Sequence, residues 1–235
     1  NIMKTYLIIG GTSGIGLEVT KKLSKMGHHI YVFSRNNRNL DALPNVVFHE
    51  IDVTSENNTY PEIEQIDGVV YTPGSLNLKP IRNVSTDDIQ NDFSTNVIGI
   101  IKIIQQYYKQ IRKSGSSIVL FSSVVAKIGM PFHTSIAISK GAIEALTKTL
   151  AAELSPKVRV NAIAPSTTNT PLTSTILSNE LAIKQASSRH PLSNIGDPKD
   201  ISELVIYLLS DSSKFMTGQI IGIDGGMSSV KLFKG

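Results

Sequence analysis

A glycine-rich turn near the start of the chain has the residue types and spacing of a phosphate-binding loop. In the run YLIIGGTSGIGLEV, an apolar strand ends at Ile9 and a helix opens at Ile15, with glycines in G-x-x-x-G-x-G order between and around them. Glycines permit the backbone angles of a tight turn and let a pyrophosphate approach the chain. The first turn of the helix supplies unpaired N–H donors and the positive end of the helix dipole. The turn therefore predicts a dinucleotide site, with loop contacts from Gly10, Thr12, Ser13, Gly14, Ile15 and Gly16.

The end of the second predicted strand indicates which dinucleotide binds. The stretch YVFSRNNR places Ser34 and Arg35 about 20 residues beyond the loop glycines, where an NAD(H) site carries a carboxylate for the ribose hydroxyls. A carboxylate there would repel a 2′-phosphate, whereas a guanidinium binds one through two hydrogen bonds. We therefore expect NADP(H) rather than NAD(H), with Ser34 and Arg35 in the site. The nearby Arg38 could instead be an ordinary surface charge.

The elements that must position these groups alternate between strands and helices. Short runs that are apolar throughout predict strands buried on both faces, and longer amphipathic runs predict helices. This alternation indicates one α/β domain with a parallel sheet and right-handed crossovers. The predicted strands are Thr5–Ile9, His29–Phe33, Val46–Ile51, Gly68–Tyr71, Ser117–Phe121, Lys157–Ile163 and Gln219–Ile223. The predicted helices are Ile15–Met26, Thr86–Arg112, Ser135–Leu154 and Pro198–Leu209, and the connection between the second and third strands is too short for a full helix.

Two helix starts carry capping signals, and one long stretch carries no pattern at all. VSTDDIQ offers Ser85 as an N-cap with Asp88 three residues later, and GDPKDI offers Asp197 before Pro198. Residues 166–195 are irregular and rich in Ser, Thr and Asn. In a compact domain such a stretch is more often a substrate lid than a linker.

The composition excludes several classes of protein. A chain of 235 residues with 40% hydrophobic content suits one domain with a sizeable core. The net charge of +4 comes without a basic cluster, so we expect no nucleic-acid partner. The absence of cysteine excludes disulfides and thiolate zinc sites, and we predict no metal site. No apolar run has the length of a membrane span, and a strand begins within a few residues of the start, so we expect no membrane partner, no signal peptide and a cytoplasmic location.

Ordered motifs along nearly the whole chain resemble the short-chain dehydrogenase/reductase family. They are GGTSGIG at 10–16, IDV at 51–53, STNVIG at 94–99, IVLFSSV at 118–124, SKGAIEALTKTLAAEL at 139–154, VRVNAIAPS at 158–166 and MTGQIIGIDGGM at 216–227. The last motif is especially similar to the bacterial 3-oxoacyl-carrier-protein reductases. The resemblance implies a single-domain Rossmann fold over residues 1–235, with a doubly wound, mostly seven-stranded parallel sheet and helices on both faces.

The resemblance also implies cofactor contacts away from the glycine-rich turn. Asp52 would hydrogen-bond the adenine amino group beside the Val53 backbone N–H, and Gly74 would pack against the adenosine ribose. Thr170, five residues after Pro165, would contact the nicotinamide carboxamide, and Pro165 would belong to the same site. Taken alone, Asp52 at a strand end could simply cap a turn.

Three further residues would form the catalytic group that the resemblance implies. Asn96 would hold a water of a proton relay, and Ser123 would orient the substrate carbonyl. Lys140 would bind the nicotinamide ribose hydroxyls, and its ammonium would lower the pKa of a neighbouring acid. The alternatives are that Asn96 satisfies a break in a helix backbone and that Lys140 is a solvated helix lysine.

The chain departs from the family pattern where the family has its acid. The family motif is tyrosine, three residues, lysine, but here Ile136 stands four residues before Lys140. Isoleucine cannot donate a proton, and a well-placed acid contributes a factor of about 10² to 10⁴ to the rate. Two other departures, Tyr71–Gly74 in place of Asn-Asn-Ala-Gly and Pro165-Ser166 in place of Pro-Gly, are expected to be tolerated. Ser166 is expected to cost some backbone freedom only.

His133 is the predicted replacement for the acid. It lies seven residues before Lys140 and so shares its helix face, an offset that resembles the tyrosine of the enoyl-carrier-protein reductases. Histidine can act as an acid or base near neutral pH, although an exposed loop position is the alternative. The hydroxyls of Ser135 and Ser139 are too weakly acidic unless a partner activates them. Tyr71 is a further candidate, although it fits the adenine side better.

Two hypotheses of function follow. The first is an NADP(H)-dependent oxidoreductase acting on a small or medium carbonyl, alcohol or enoyl substrate beneath the 166–195 lid. The second is a nucleotide-binding regulatory or structural protein without turnover, motivated by Ile136 and by the altered turn at Tyr71–Gly74. The two long helices and the C-terminal run QIIGIDGGMSSVKLF also predict a homodimer or homotetramer, because they carry more apolar surface than one sheet face needs.

Overall fold

One sheet of seven parallel strands forms the centre of the protein. The computed structural model describes residues 3–38 and 40–232; the ends of the predicted domain and Phe233 of the C-terminal run lie outside the described residues. The strand order is β3-β2-β1-β4-β5-β6-β7, and every neighbouring pair is parallel. The strands are β1 (Thr5–Ile9), β2 (His29–Ser34), β3 (Val46–Glu50), β4 (Gly68–Tyr71), β5 (Ser117–Phe121), β6 (Arg159–Pro165) and β7 (Ile220–Ile223). The predicted fold class is confirmed.

Helices cover both faces of the sheet. Helices α1 and α7 pack together on one face, and α2 packs against α5 on the other. No helix among residues 3–38 and 40–232 is both long and apolar enough to cross a membrane. The helices are α1 (Gly14–Lys25), α2 (Thr86–Phe93), α3 (Gly99–Gln106), α4 (Tyr108–Ser114), α5 (Thr134–Leu154), α6 (Glu180–Ser187) and α7 (Pro198–Leu209).

The strands are apolar throughout because each of them serves two cores. Successive side chains of β1 alternate, so that Leu7 and Ile9 enter the core beside α5 while Tyr6 and Ile8 enter the core beside α1 and α7. Strand β6 begins and ends two residues later than predicted. Val158 still belongs to the turn after α5, where its N–H donates to the Leu154 carbonyl, and pairing with β5 begins only at Arg159.

The predicted continuous helix Thr86–Arg112 is wrong, because the chain breaks it twice. A π-helical turn, Ser94–Ile98, separates α2 from α3, and Tyr107 leaves helical geometry between α3 and α4. Within the π turn, the Asn96 side-chain amide donates to the Asp92 carbonyl at 2.7 Å. That carbonyl is the acceptor that an α-helical ladder would use at this point, so the side chain competes with the backbone. The π turn therefore follows from the residue type at position 96.

Both predicted helix caps are present. The Ser85 hydroxyl accepts from the Asp88 N–H at 3.1 Å, and the Asp88 carboxylate accepts from the Ser85 N–H at 2.9 Å, which completes a capping box. The Asp197 carboxylate accepts from the Lys199 N–H at 2.8 Å at the start of α7. These short-range signals fix where α2 and α7 begin.

The stretch 166–195 is more regular than the sequence predicts. It contains a short 3-10 turn, Pro171–Thr173, and helix α6, whose first turn is capped by the Asn179 side chain accepting from the Ala182 N–H at 2.9 Å. Most side chains of α6 are exposed, and only Ala186 is buried. An eight-residue helix with one buried side chain leaves little apolar periodicity in the sequence, which explains why it was missed.

Candidate cofactor and active site

A cavity of about 1030 Å³ opens at the carboxyl ends of the central strands. The chain builds the sheet outward from β1 in one direction and from β4 in the other, so the loops after these strands separate there. Parallel α/β sheets bind ligands at this reversal point. Every predicted cofactor residue except Thr12 lines the cavity: Gly10, Ser13, Gly14, Ile15, Gly16, Ser34, Arg35, Asp52, Val53, Gly74, Lys140, Pro165 and Thr170.

The glycine-rich turn has the backbone of an anion cradle. Gly10 and Gly14 have φ values of 80° and 52°, which side chains rarely adopt. A Cβ atom at Gly16 would overlap the Gly10 carbonyl oxygen, so the turn closes only with glycine there. Ser13 is the N-cap of α1 without a side-chain capping bond, and the first turn contains no acidic residue. The first N–H groups of α1 can therefore face a diphosphate, which fits the predicted dinucleotide.

Thr12 does not line the cavity. It is buried behind the turn, and its hydroxyl is 2.9 Å from the Ser34 hydroxyl at the end of β2. Thr12 therefore joins the turn after β1 to the end of β2. Ser34 and Arg35 reach the cavity, with Arg35 exposed, whereas Arg38 is exposed and outside the lining.

Asp52 both caps a turn and lines the adenosine end of the cavity. Its carboxylate accepts from the Thr54 hydroxyl at 2.7 Å and from the Thr54 N–H at 2.9 Å. These bonds, helped by the positive charge of Arg35, lower the pKa of Asp52 below its ordinary value. The alternative of a turn cap is thus correct as geometry, and an ionised carboxylate still faces the cavity beside Val53.

Lys140 lies buried in the wall at the opposite end of the cavity. Its ammonium donates to the Phe121 carbonyl at 2.9 Å, which ties α5 to the end of β5. Burial lowers the pKa of Lys140 from 10.5 to about 8, and the charge of Asp92 opposes this shift only in part. Ser123 follows β5 and lines the same wall, where its hydroxyl accepts from the Val125 N–H at 3.4 Å. The alternative that Lys140 is a solvated lysine is wrong.

The side chain at position 136 is an apolar isoleucine that lines the cavity. Ile136 is 4% exposed and lines the wall one helical turn before Lys140. His133 also lines the cavity, at the N-cap of α5, with its Nδ1 atom 2.7 Å from the Pro131 carbonyl oxygen. Neither Ser135 nor Ser139 lines the cavity. Ser135 donates to the Asp92 carboxylate, and Ser139 donates to the Ser135 carbonyl.

Asn96 lies behind the wall, not in it. Its amide donates to the Ser75 hydroxyl at 3.0 Å as well as to the Asp92 carbonyl, while its Oδ1 atom is buried without a hydrogen-bond partner among the described residues. A Cβ atom at Gly74 would lie 3.5 Å from this Oδ1 atom and 3.8 Å from the Lys140 ammonium nitrogen. Asn96 therefore has the backbone role given above as its alternative, and its Oδ1 atom and the Lys140 ammonium both lie close to Gly74.

Tyr71 cannot be the missing acid. Its ring is buried in the core at the end of β4, and its hydroxyl donates to the Thr95 carbonyl at 2.5 Å. Burial raises its pKa well above the ordinary value. Tyr71 also lies outside the cavity lining, unlike its neighbours Thr72, Pro73 and Gly74.

The loop after β6 lies across the phosphate-binding turn. A Cβ atom at Gly14 would lie 3.3 Å from the Thr170 methyl group, and Pro165, Thr170 and Leu172 all line the cavity. The loop also brings Ser166 to the cavity, where its hydroxyl is 2.8 Å from Nε2 of the buried His190. Sequence reasoning treated Ser166 as a loss of backbone freedom and missed His190. The two residues are 24 positions apart in an irregular stretch. No hydrophobic periodicity in the sequence therefore indicates that they are in contact.

Comparison with known proteins identifies the family. The family model described as enoyl-(acyl carrier protein) reductase matches residues 10–228. The 3-oxoacyl-[acyl-carrier-protein] reductase FabG of Thermotoga maritima is 32% identical over 241 residues, which cover 95% of this chain and 97% of that protein. A tropinone reductase homolog of Arabidopsis thaliana is 31% identical over 244 residues, covering 96% of this chain and 92% of the homolog.

Solved structures agree with these relatives over nearly the whole chain. A short chain dehydrogenase family protein of Francisella tularensis subsp. tularensis SCHU S4 is 31% identical with a TM-score of 0.87. ElxO with NADP bound is 28% identical with a TM-score of 0.88, and 4-hydroxyisoleucine dehydrogenase complexed with NADH is 26% identical with a TM-score of 0.87. Each of the three covers 97% of this chain and 100% of the other. The chain belongs to the short-chain dehydrogenase/reductase family of oxidoreductases.

Proposed function

We propose that the protein is an NADP(H)-dependent oxidoreductase that acts on a small or medium carbonyl or alcohol substrate, with enoyl reduction as the other chemistry of this family. One observation carries the proposal: the glycine-rich turn, Arg35, Ser123 and Lys140 all line the same cavity. The turn would hold the diphosphate, and Arg35 would hold the 2′-phosphate. The 166–195 lid would cover the substrate, and its Leu172 and Ile176 make the adjoining wall partly apolar.

The chain's own residues would bind and orient the reactants. The bound nicotinamide supplies or accepts the hydride. Lys140 would hold the ribose hydroxyls from the buried side of the cavity, and Thr170 would hold the carboxamide. Ser123 would donate a hydrogen bond to the substrate oxygen. This bond would hold the reacting carbon in position to receive or give up the hydride. The apolar Ile136 would exclude water from the same wall.

Solved relatives bind either NADP or NADH, so membership of the family does not decide the cofactor. In this proposal the preference for NADP(H) comes from Arg35. A hydrogen bond to a charged group contributes about 1.5–3 kcal/mol, so Arg35→Ala is expected to weaken NADPH binding at least about tenfold. NADH lacks the 2′-phosphate, and its binding should change by less than about twofold. Titration calorimetry with both cofactors measures this difference.

Arg38→Ala is the matched control for that titration. Arg38 is another exposed arginine of the same connection but lies outside the cavity, so its removal should leave NADPH binding unchanged. Equal losses for both cofactors in Arg35→Ala would contradict the preference for NADP(H). No NADPH binding by the unaltered protein would remove the proposed function altogether.

The alternative of a nucleotide-binding protein without turnover rests on Ile136 and on the altered turn at Tyr71–Gly74. The curated relatives above are named as reductases, which gives this alternative no support. Oxidation of NADPH in the presence of acetoacetyl-coenzyme A, tropinone or crotonyl-coenzyme A separates the two hypotheses. These probes represent a 3-oxoacyl thioester, a simple ketone and an enoyl thioester. Turnover of any one of them supports the enzyme, and cofactor binding without turnover of all three supports the alternative.

A further inference from the structure

We propose that Ser166 and His190 form a hydrogen-bonded pair that exchanges a proton with the reacting substrate oxygen, the task that a tyrosine at position 136 would have. The proposal rests on the proposed function, because it needs hydride transfer at this cavity. It assigns chemistry to two residues that the family pattern quoted above does not use.

The hydrogen bonds of His190 determine which atom donates and which accepts between Ser166 and His190. Its Nδ1 atom is 2.9 Å from the Ala186 carbonyl oxygen, which can only accept, so Nδ1 carries a hydrogen. In the neutral ring Nε2 is therefore an acceptor, and the Ser166 hydroxyl at 2.8 Å donates to it. In the protonated ring Nε2 donates to Ser166, whose own hydrogen is then available to a third group. A serine hydroxyl is otherwise too weak an acid, and His190 is the partner that activates it.

The pair has one end in the cavity and one end in the protein interior. Ser166 lines the cavity, whereas His190 is 3% exposed and lies outside the lining. Strands β5 and β6 are neighbours, and the Ser122 N–H donates to the Ile163 carbonyl at 2.8 Å at their ends. Ser123 and Ser166 therefore leave the sheet at the same edge. A substrate oxygen bound by Ser123 would share this cavity with the Ser166 hydroxyl.

An acidic group lies close to His190. Asp224, after β7, accepts from the Gly226 and Ser228 N–H groups, and Gly225 packs against the His190 ring. Although burial raises the pKa of Asp224, the bonds from Ser228 and Gly226 and the charge of His190 lower it overall. Arg189, which directly precedes His190 in the chain, is exposed. An ionised Asp224 therefore lies near the His190 end of the pair.

His133, the replacement predicted from the sequence, is less well placed. It is only half-buried, and it belongs to an exposed loop that includes Pro131 and Phe132. Its ring is hydrogen-bonded to the Pro131 carbonyl within that loop, not to a hydroxyl at the cavity. A proton carrier in a desolvated, fixed pair keeps its geometry through the reaction. The Ser166 and His190 pair meets this requirement, and His133 stays a competing prediction for the test.

The proton balance is simple in both directions. In reduction, a hydride from the reduced nicotinamide adds to the carbonyl carbon, and the C=O π electrons move to the oxygen. That oxygen bonds the Ser166 proton, the Ser166 oxygen bonds the proton from Nε2, and His190 becomes neutral. Solvent returns a proton through the open cavity after the product leaves. In oxidation of an alcohol every step reverses, and neutral His190 accepts the proton.

Single variants measure the role of the pair in kcat. Ser166→Ala and His190→Gln are each expected to lower kcat for the carbonyl probe that the unaltered protein turns over by about 10²-fold or more, while NADPH affinity stays within about twofold. The double variant should lose no more than either single variant, because two residues that act as one unit are not additive. Ser188→Ala, an exposed serine after α6, should change nothing.

A second substitution that restores kcat separates the loss of a proton donor from a loss caused by misfolding. Ile136→Tyr added to Ser166→Ala is expected to restore kcat at least about tenfold, because a tyrosine there can supply the lost proton. His190→Gln should also flatten the pH dependence of kcat. If Ser166→Ala and His190→Gln stay within about threefold of the unaltered protein, or if only His133→Gln loses activity, the proposal is overturned.

The tautomer of His190 gives a readout without turnover. Nitrogen–proton correlation NMR of protein labelled in its five histidines should show a neutral ring with hydrogen on Nδ1 that disappears in His190→Gln and remains in His133→Gln, since Nδ1 of His133 also lies beside a carbonyl oxygen. Hydrogen on Nε2 of that ring would contradict the pair. If the unaltered protein oxidises NADPH with none of the probes, the proposed function fails. If it is active and the variants are unimpaired, only the pair fails.

Discussion

Lys140 places a positive charge in the protein interior, and burying this charge costs free energy. Its pKa is about 8 in the folded protein against an ordinary 10.5, because burial disfavours the ammonium. Between these two values the unfolded chain binds a proton that the folded protein does not, so stability rises with pH across this window. Below about pH 8 both states are protonated, and the full cost of burying the ammonium is present.

Replacing Lys140 should therefore change the pH dependence of stability. The free energy of unfolding of Lys140→Met, minus that of the unaltered protein, is expected to fall by about 3 kcal/mol between pH 7 and pH 10.5. Urea denaturation at a series of pH values measures the difference. Lys148→Met, at an exposed position of the same helix, is the control. Parallel curves for Lys140→Met and the unaltered protein would contradict the shifted pKa.

At the scale of single residues, the sequence predicted those site positions that are tied to strand ends. Gly10, Ser34, Asp52 and Ser123 each follow an apolar run directly, so their arrival at one edge of the sheet follows from the topology. The position of His190 does not follow in this way. It depends on the path of residues 166–195, which carries no periodicity, and only the folded chain places it against Ser166.

At the scale of elements, the start of α2 depends on one carboxylate. Asp88 accepts from the Lys79 ammonium at 2.6 and 2.8 Å, from the Ser85 N–H and from the Asn77 amide. The bond from Lys79, followed by those from Ser85 and Asn77, holds the pKa of Asp88 well below its ordinary 3.8. The ionised carboxylate therefore stabilises the fold above that ordinary value, and this stabilisation is lost as pH falls toward the folded-state pKa.

Asp88→Asn tests this cap. The variant is expected to have a lower Tm than the unaltered protein at pH 7, with a gap that narrows as the pH falls below the ordinary value of 3.8. Differential scanning calorimetry at both ends of the range measures the gap. Asp87→Asn removes an exposed charge from the same first turn but leaves the capping box intact, so it should lower Tm less. A gap that does not depend on pH would contradict the role of the ionised carboxylate.

The elements were predictable where the signal is local and were missed where it is not. Capping residues and apolar runs located every strand and the start of α2 and α7. The breaks at Ser94–Ile98 and Tyr107 were missed because the apolar pattern continues through them. The first break depends on a side chain that competes for a backbone acceptor, and hydrophobic periodicity does not record that competition.

At the scale of the whole molecule, apolar side chains remain exposed on the surfaces predicted to form subunit contacts. The exposed apolar side chains in these regions are Tyr108 on α4, Ile138 on α5, and Val230 and Leu232 in the C-terminal run. Their positions agree with the predicted regions, and we keep a homodimer or homotetramer as our proposal. The parallel sheet was predictable from the alternation of strands and helices, whereas the order of its strands and the apolar surface left exposed on the helices follow only from the folded chain.

Light scattering coupled to size exclusion tests the assembly. The expected mass is two or four times the 25.5 kDa of one chain, and Val230→Glu, in the predicted C-terminal contact, is expected to lower it by placing a charge at a buried contact. Phe132→Glu is the control, because Phe132 is exposed on the loop before α5, outside these surfaces. A monomer mass for the unaltered protein would refute the proposal.

The π turn at Ser94–Ile98 also acts as a spacer that sets the rotational phase of one helix against the next. A π turn holds one more residue than an α-helical turn, and each α-helical residue advances the chain by about 100° around the axis. Deleting one residue there would rotate α2 by about that angle relative to α3. Asp88 and Asp92, whose acceptors both receive the Ser135 hydroxyl, would then leave the side that meets α5. The length of this short segment, and not only its composition, thus keeps α2 in register with the helix that carries Lys140.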